Sequence, residues 1–324
     1  MPPLIAIVGE TASGKSALAM ELAQKFNGEI ICADSWTVYK GFDVGTAKPT
    51  AEERALVPHH LLDVADPQEG FSVVLFQGLA LRAITDITSR GRLPILVGGT
   101  GLYIDSVLFN YSFLPARDPS LRNELNLKEL DELLQLAHKR QLDTSKIDIR
   151  NKRRLIRLIE NNGVMPTKQN LRENTLVLGL AVPRDALKQH VAKRVDRMLD
   201  LGLEQEVHEL AARYGWEAEP MKGIGYREWH DYFTDGDGAN LTLDDAGVVL
   251  SNTRMNGVSH MAALQDPGAP ALTHDAVRQR IIKSTMDLAK RQRTWFKRNQ
   301  SIQWVSDRSY AVDLVTTFLN NSTY

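Results

Sequence analysis

The sequence predicts an α/β protein, in which an open parallel sheet flanked by helices is interrupted by a helical insertion. Three observations predict it. Short apolar runs alternate with helically spaced segments through the first part of the chain. A glycine-rich, phosphate-binding pattern lies between the first run and the first helix. After Leu114 the texture becomes charged and helical, and strand character returns only at Leu176.

The elements follow in order. Residues 4–8 are an apolar run closed by Gly9, as expected for a buried strand. Residues 16–26 place Leu18, Leu22 and Phe26 on one helical face. Residues 29–33 predict a second strand, 60–64 a third and 94–97 a fourth, with a helix over 71–89. Residues 116–162 carry no strand pattern; 176–181 predict another strand, 183–214 a long helical stretch and 274–299 a basic helix. The segment 234–273 is rich in Gly, Asp, Asn and Ala and has no assigned role. The expected organisation is a core of 1–114 and 173–324, ending in the basic helix, with a helical insertion domain over 115–172.

Bulk composition narrows the function classes. There are 39 Lys and Arg against 40 Asp and Glu, a formal net charge of −1. No global field would hold a polyanion, so a nucleic-acid site must be a local basic patch. Cys32 is the single cysteine, which excludes an intrachain disulfide and a cysteine metal cage. The sequence shows neither a signal-peptide pattern nor an apolar run long enough to span a membrane, so a cytoplasmic protein is expected.

Gly9, Glu10, Thr11, Ala12, Ser13, Gly14, Lys15 and Ser16 have Walker A spacing in the strand-to-helix context that motif requires. Glycines let successive N–H groups curl inward, and the following helix adds its positive end. Lys15 brings a point charge to phosphate oxygens, and Ser16 offers a hydroxyl to a metal ion. Because strand carboxyl ends face the ligand crevice in such a sheet, Asp34 should lie near the cradle. There it could bind metal, hold a substrate hydroxyl or accept a proton; a turn or cap role is the alternative. The run from Gly98 to Tyr103 should share the crevice. Its strand lacks the terminal aspartate that many P-loop NTPases use for magnesium, so phosphate binding is better supported than ATP hydrolysis. Two basic stretches, 146–157 and 278–298, suit RNA, the second with Trp295 and Phe296 among its cations; a solvated helix face is the alternative.

Taken in order, these segments resemble the tRNA dimethylallyltransferase family, in its bacterial type. The cradle is similar to the family's phosphate loop. The run Ala-Asp-Ser-Trp-Thr-Val-Tyr-Lys-Gly-Phe-Asp-Val-Gly-Thr-Ala-Lys-Pro over 33–49 is similar to its most telling signature. Pro58-His59-His60-Leu61-Leu62-Asp63, the run from Gly98 to Tyr103, Asn151-Lys152-Arg153-Arg154-Leu155-Ile156-Arg157, Gly223-Ile224-Gly225-Tyr226-Arg227-Glu228 and Ala289-Lys290-Arg291-Gln292-Arg293-Thr294-Trp295-Phe296 complete the set.

The resemblance implies transfer of a dimethylallyl group from dimethylallyl diphosphate to the exocyclic amine of the adenosine on the 3′ side of the anticodon. The products are isopentenyl-adenosine and diphosphate. The cradle from Gly9 to Ser16 would hold diphosphate, with Mg2+ at Ser16. Asp34 would accept the amine's proton, with Thr100 and Lys15 as the other catalytic residues. The tRNA anticodon stem-loop would meet Asp34, Ser35, Trp36, Thr37, Thr100, Arg122, Arg153, Arg154, Leu155, Ile156 and Arg157, with the adenine flipped from its stack. A monomer is the family expectation. Glu10 stands in place of the family's usual proline, Ser16 of threonine, Trp36-Thr37 of Met-Gln, and Met286 and Leu288 of arginine and tyrosine. Two other enzyme readings stay open at this point, a P-loop small-molecule kinase and an adenylate prenyltransferase using a free nucleotide. So does an RNA-binding protein with a relic cradle.

Overall fold

The computed structural model describes residues 1–114, 119–235 and 272–322. The low-complexity excursion expected over 234–273 lies almost wholly outside them. The chain forms two compact units, one of Met1–Leu108 with Arg172–Tyr324 and the other of Phe109–Leu171.

The first unit is built on a sheet of β1 (Leu4–Gly9), β2 (Gly28–Cys32), β3 (His59–His60), β4 (Leu93–Gly98), β5 (Thr175–Leu180) and β6 (Ile302–Val305). Their order is β3-β2-β4-β1-β5-β6, and every pairing is parallel. Ile5, Ile7, Leu176 and Leu178 pack with Leu18 and Leu22 of α1 (Lys15–Lys25) and with Val312 and Val315 of α12 (Arg308–Asn321). The alternate residues Leu4, Ala6 and Val8 are equally inaccessible, so β1 is covered on both faces, which accounts for its uninterrupted apolar run.

Three expectations change. The strand predicted over 60–64 is limited to two residues. Leu61 and Asp63 adopt φ of 64° and 57°, and the Asp63 carboxylate is held by Lys48 at 2.5 Å and Arg54 at 3.1 Å. The stretch 183–214 is two helices, α8 (Arg184–Asp200) and α9 (Leu203–Tyr214), parted at Gly202 with φ 89°. Beyond the basic helix, here α11 (His274–Phe296), the chain adds β6 and α12, whose short or mixed patterns the sequence reading passed over.

Of the remaining helices, α2 (Ala51–Leu56) starts on a Thr50/Glu53 capping box and α3 (Val73–Ser89) on the Ser72 hydroxyl. The helix α4 (Gly101–Leu108) follows β4 directly. A second core joins α8, α9, α10 (His230–Thr234) and α11 around Phe42, Tyr226 and Trp229. The helical unit holds α5 (Pro119–Leu127), α6 (Leu130–Lys139) and α7 (Lys152–Glu160), packed on Leu125, Leu133, Leu155 and Ile159.

Candidate active site

The strand order sets the site. β1 lies between β4 and β5, and β2 lies beside β4, so the loops leaving β1, β2 and β4 emerge at one edge. The cradle leaves β1 through Ala12 at φ 59° and Gly14 at φ 92°, then enters α1. Lys15 lies across it, its Nζ donating to the Glu10 carbonyl at 2.5 Å. After β2, the Ala33 N–H donates to Val97 at 2.7 Å and the Asp34 carboxylate accepts from the Trp36 N–H at 2.9 Å. After β4, Gly98 runs so close to this loop that a Cβ there would lie 2.0 Å from the Ala33 carbonyl oxygen. Thr100 Oγ1 accepts from the Ser35 N–H at 3.1 Å, joining the second and fourth loops.

These loops open onto a cleft of about 830 Å³ lined by Thr11, Lys15, Ser16, Asp34, Thr37 and Arg194, among others. A smaller cavity of about 70 Å³ continues from Thr11, Asp34, Arg194 and Gln292 to an apolar wall of Trp36, Val195, Met198, Ile224, Ile281 and Leu288. Cations and polar groups lined up beside apolar side chains suit a ligand with a charged head and a short hydrocarbon tail. Thr37 Oγ1, in the cleft lining, is buried without a hydrogen-bond partner, leaving a hydroxyl for a polar ligand.

Electrostatics couple the groups. Burial, followed by the positive charge of Arg194, lowers the Lys15 ammonium to about 8, while Asp34 and Glu10 pull it back up. Burial also lowers Arg194, opposed by Asp34. Burial and the Asp34 charge push the Cys32 thiol up to about 12, so it stays neutral beside the cleft.

Several cleft residues escaped the sequence reading. Lys193, Arg194 and Arg197 line it from α8, and Gln292 from α11. For the α8 residues the sequence signal was a cationic cluster inside a helical stretch, indistinguishable from a solvated face without the packing of α8. Gln292 lies in the family-like run 289–296 but carries no local sign of facing the cleft.

Some expected roles are corrected. Glu10 is not a side-chain ligand for diphosphate: it is only 5% exposed, and its carboxylate is paired in a fork with Arg293 of α11. In the helical unit, Leu155 and Ile156 are 0% and 1% exposed, so they hold α7 in its core and offer RNA no side-chain surface. Arg122 and Arg157 both pair with Glu160, which is 3% exposed, and Arg157 also donates to the Leu114 carbonyl. Arg153 and Arg154 remain exposed. On α11, Arg278 pairs with Asp196 and Arg280 with Asp231. Of the expected stacking aromatics, Phe296 is 1% exposed and Trp295 is half-buried, its Nε1 donating to Asp105. Lys283, Lys290 and Arg291 stay on the exposed side. His59 and His60 are structural, bonded to the Val57 carbonyl and to Glu29.

The family model described as IPP transferase matches residues 37–299. The chain belongs to this family. A tRNA dimethylallyltransferase of Roseiflexus sp. (strain RS-1) is 45% identical over 265 residues, covering 76% of this chain and 84% of that one. The crystal structure of the full-length tRNA isopentenylpyrophosphate transferase from Bacillus halodurans superposes with a TM-score of 0.67 at 34% identity, covering 99% of this chain and 96% of that chain. A eukaryotic dimethylallyltransferase acting on tRNA superposes with a TM-score of 0.78 at 25% identity, covering 100% of this chain and 81% of that chain. The parallel α/β fold is thus the fold of the family.

Proposed function

We propose that this chain is a tRNA dimethylallyltransferase, transferring a dimethylallyl group from dimethylallyl diphosphate to the exocyclic amine of the adenosine 3′-adjacent to the anticodon. The observation that carries the reading, beside family membership, is the meeting of Lys15, Asp34 and Thr100 at the carboxyl ends of three adjacent strands. Lys15 and Asp34 line one cleft that mixes cations with apolar side chains, and Thr100 is joined to the Asp34 loop through the Ser35 N–H. A kinase has no need of the apolar side chains, Trp36, Ile224 and Leu288, that line the smaller cavity.

The chemistry follows from the residues. The amine nitrogen bonds to the allylic carbon as the carbon–oxygen bond to diphosphate breaks, and diphosphate leaves with the bonding electrons. Cradle N–H groups, Lys15 and Arg194 stabilise the negative charge that builds on it. Asp34 accepts the proton from the amine, which is a poor nucleophile while it keeps it. The Ser35 N–H holds Thr100 Oγ1, orienting this hydroxyl beside the reacting groups. Trp36, Ile224 and Leu288 exclude water from the hydrocarbon tail.

Magnesium fits this donor set. Ser16 brings a hydroxyl to the cleft, and among the described residues no cluster of three or more His, Cys, Asp or Glu would hold an ion by itself. Mg2+ takes few protein ligands beside phosphate oxygens and waters. Ser16 would hold the ion, which when bound spreads the charge of the diphosphate. Exposed Arg153 and Arg154 of the helical unit supply cations for the anticodon stem-loop. Among the described residues no helix is long and apolar enough to cross a membrane. The reading takes the protein as a cytoplasmic monomer.

The test is transfer of labelled dimethylallyl groups from the diphosphate to unmodified tRNA in magnesium. Wild type should label tRNA and leave free AMP unlabelled. Asp34→Ala should lose at least about a hundredfold in rate. Labelling of AMP alone would refute the acceptor; an undiminished Asp34→Ala would refute the base.

A further inference from the structure

The cradle is not free-standing. Two consecutive residues of α11 reach two consecutive residues of the loop. Gln292, 9% exposed, accepts from the Thr11 N–H at 2.8 Å through Oε1 and donates to the Gly99 carbonyl at 3.0 Å through Nε2, so one side chain spans the loops after β1 and β4. Beside it, Arg293 forks onto the Glu10 carboxylate, with Nη2 to Oε2 at 2.9 Å. The same Nη2 donates to the Val182 carbonyl, just past β5, at 3.0 Å. Glu10 in turn uses its backbone: its carbonyl accepts from Lys15 Nζ. Its side chain is therefore held by α11 while its main chain holds the loop's ammonium.

We propose that the Glu10–Arg293 pair is the latch by which α11 sets the phosphate cradle, making Arg293 a positioning residue for the donor's diphosphate. Glu10 stands at the residue where the cradle departs from the family pattern, and a lone carboxylate there would repel the anion that the loop exists to bind. Arg293 cancels that charge and turns the carboxylate away from the cradle. The guanidinium suits this task because its planar fork engages both carboxylate oxygens and still reaches Val182. Without it, a buried, uncompensated carboxylate lies one residue from the first inward-facing N–H groups. The latch rests on the proposed reaction only for the identity of the donor.

The test separates the two. Inorganic diphosphate binding, with magnesium, is measured by calorimetry for wild type, Glu10→Gln, Arg293→Gln and the double variant, alongside the donor KM and kcat. Arg293→Gln should weaken diphosphate binding and raise the donor KM at least about twentyfold. Glu10→Gln, which removes the negative charge and leaves the backbone carbonyl in place, should change both less than Arg293→Gln does. The double variant should return to within about threefold of wild type, because removing the carboxylate removes the repulsion. Arg293→Lys, which keeps the charge and loses the fork, should lie between, and it serves as the probe if Arg293→Gln does not fold. A merely structural Arg293 would lower melting temperature without the KM effect and would not be rescued by Glu10→Gln. Either an unchanged Arg293→Gln or an unrescued double variant overturns the latch. A wild type that binds diphosphate but labels no tRNA would sink the proposed reaction and leave the latch to be judged by calorimetry.

Discussion

Truncating Glu206 to alanine should loosen the loop that carries Asp34. Glu206 projects from α9, and its carboxylate accepts four hydrogen bonds. Oε2 takes the N–H groups of Asp43 at 3.0 Å and Val44 at 2.8 Å; Oε1 takes the Gly45 N–H at 3.0 Å and the Tyr226 hydroxyl at 2.7 Å. One side chain thus caps three successive backbone donors in the segment between Asp34 and Pro49. Tyr226 is 1% exposed, so its hydroxyl cannot turn to solvent, and losing its acceptor costs about 1–3 kcal/mol. Water can partly replace the carboxylate at the three N–H groups, so each should lose about 0.5–1 kcal/mol. The sum is about 2.5–6 kcal/mol, which in a chain of this size lowers Tm by about 4–9 °C. Glu206→Gln should cost about half as much. Its amide oxygen can serve Gly45 and Tyr226, but its NH2 then faces two donors. Thermal melts by circular dichroism, with urea titration for the free energy, measure this. Transfer rates at 25 °C should drop about tenfold in the alanine variant, because Asp34 is held less well against the cradle. A Tm loss of less than about 2 °C in Glu206→Ala would refute the claim that this carboxylate organises the loop.

Four further outcomes are expected. Lys15 is lowered to about 8, so it is charged below that pH and neutral above it; kcat/KM for the donor should fall as pH rises through about 8, and a flat profile to pH 9.5 would contradict the assignment. Burial alone would raise the Glu29 carboxyl, but hydrogen bonds from Arg90 and His60 hold it below its usual range, so its stabilisation is present above the unfolded-state pKa and lost as pH falls through the lower folded value. Glu29→Gln should cost about 2–3 kcal/mol near pH 7, discounted for the half-exposed arginines, with the gap to wild type closing in acid denaturation series below about pH 4. In the helical unit, Leu155→Ala should cost about 2–4 kcal/mol by urea titration. Arg154→Ala should stay within about 0.5 kcal/mol while weakening tRNA binding in filter assays and lowering its salt slope by about one.

The cradle, Asp34 and the Gly98 turn were legible because each is a local pattern tied to a strand end. Phosphate loops need glycines at fixed intervals, and parallel strands buried on both faces need unbroken apolar runs. Charge was read less well. Positive residues on α11, α7 and α5 looked like RNA-facing surfaces, yet Arg278, Arg280, Arg293 and Arg122 each meet a carboxylate distant in sequence, and Arg157 meets Glu160 one turn on. Nothing local distinguishes a paired arginine from a free one. The brevity of β3 was hidden for a similar reason, since the turn at Leu61 and Asp63 is held by Lys48 and Arg54.

The sequence by itself determined the parallel α/β core, the phosphate loop and the family, because spacing along the chain encodes backbone geometry and the ordered motifs occur together. Tertiary structure alone decided which cations are available, that Arg194 and Gln292 line the cleft, and that Glu10 is turned to Arg293. Those outcomes depend on side chains up to 283 positions apart meeting across packed helices, and a hydrogen bond or ion pair has no period that a linear pattern could reveal.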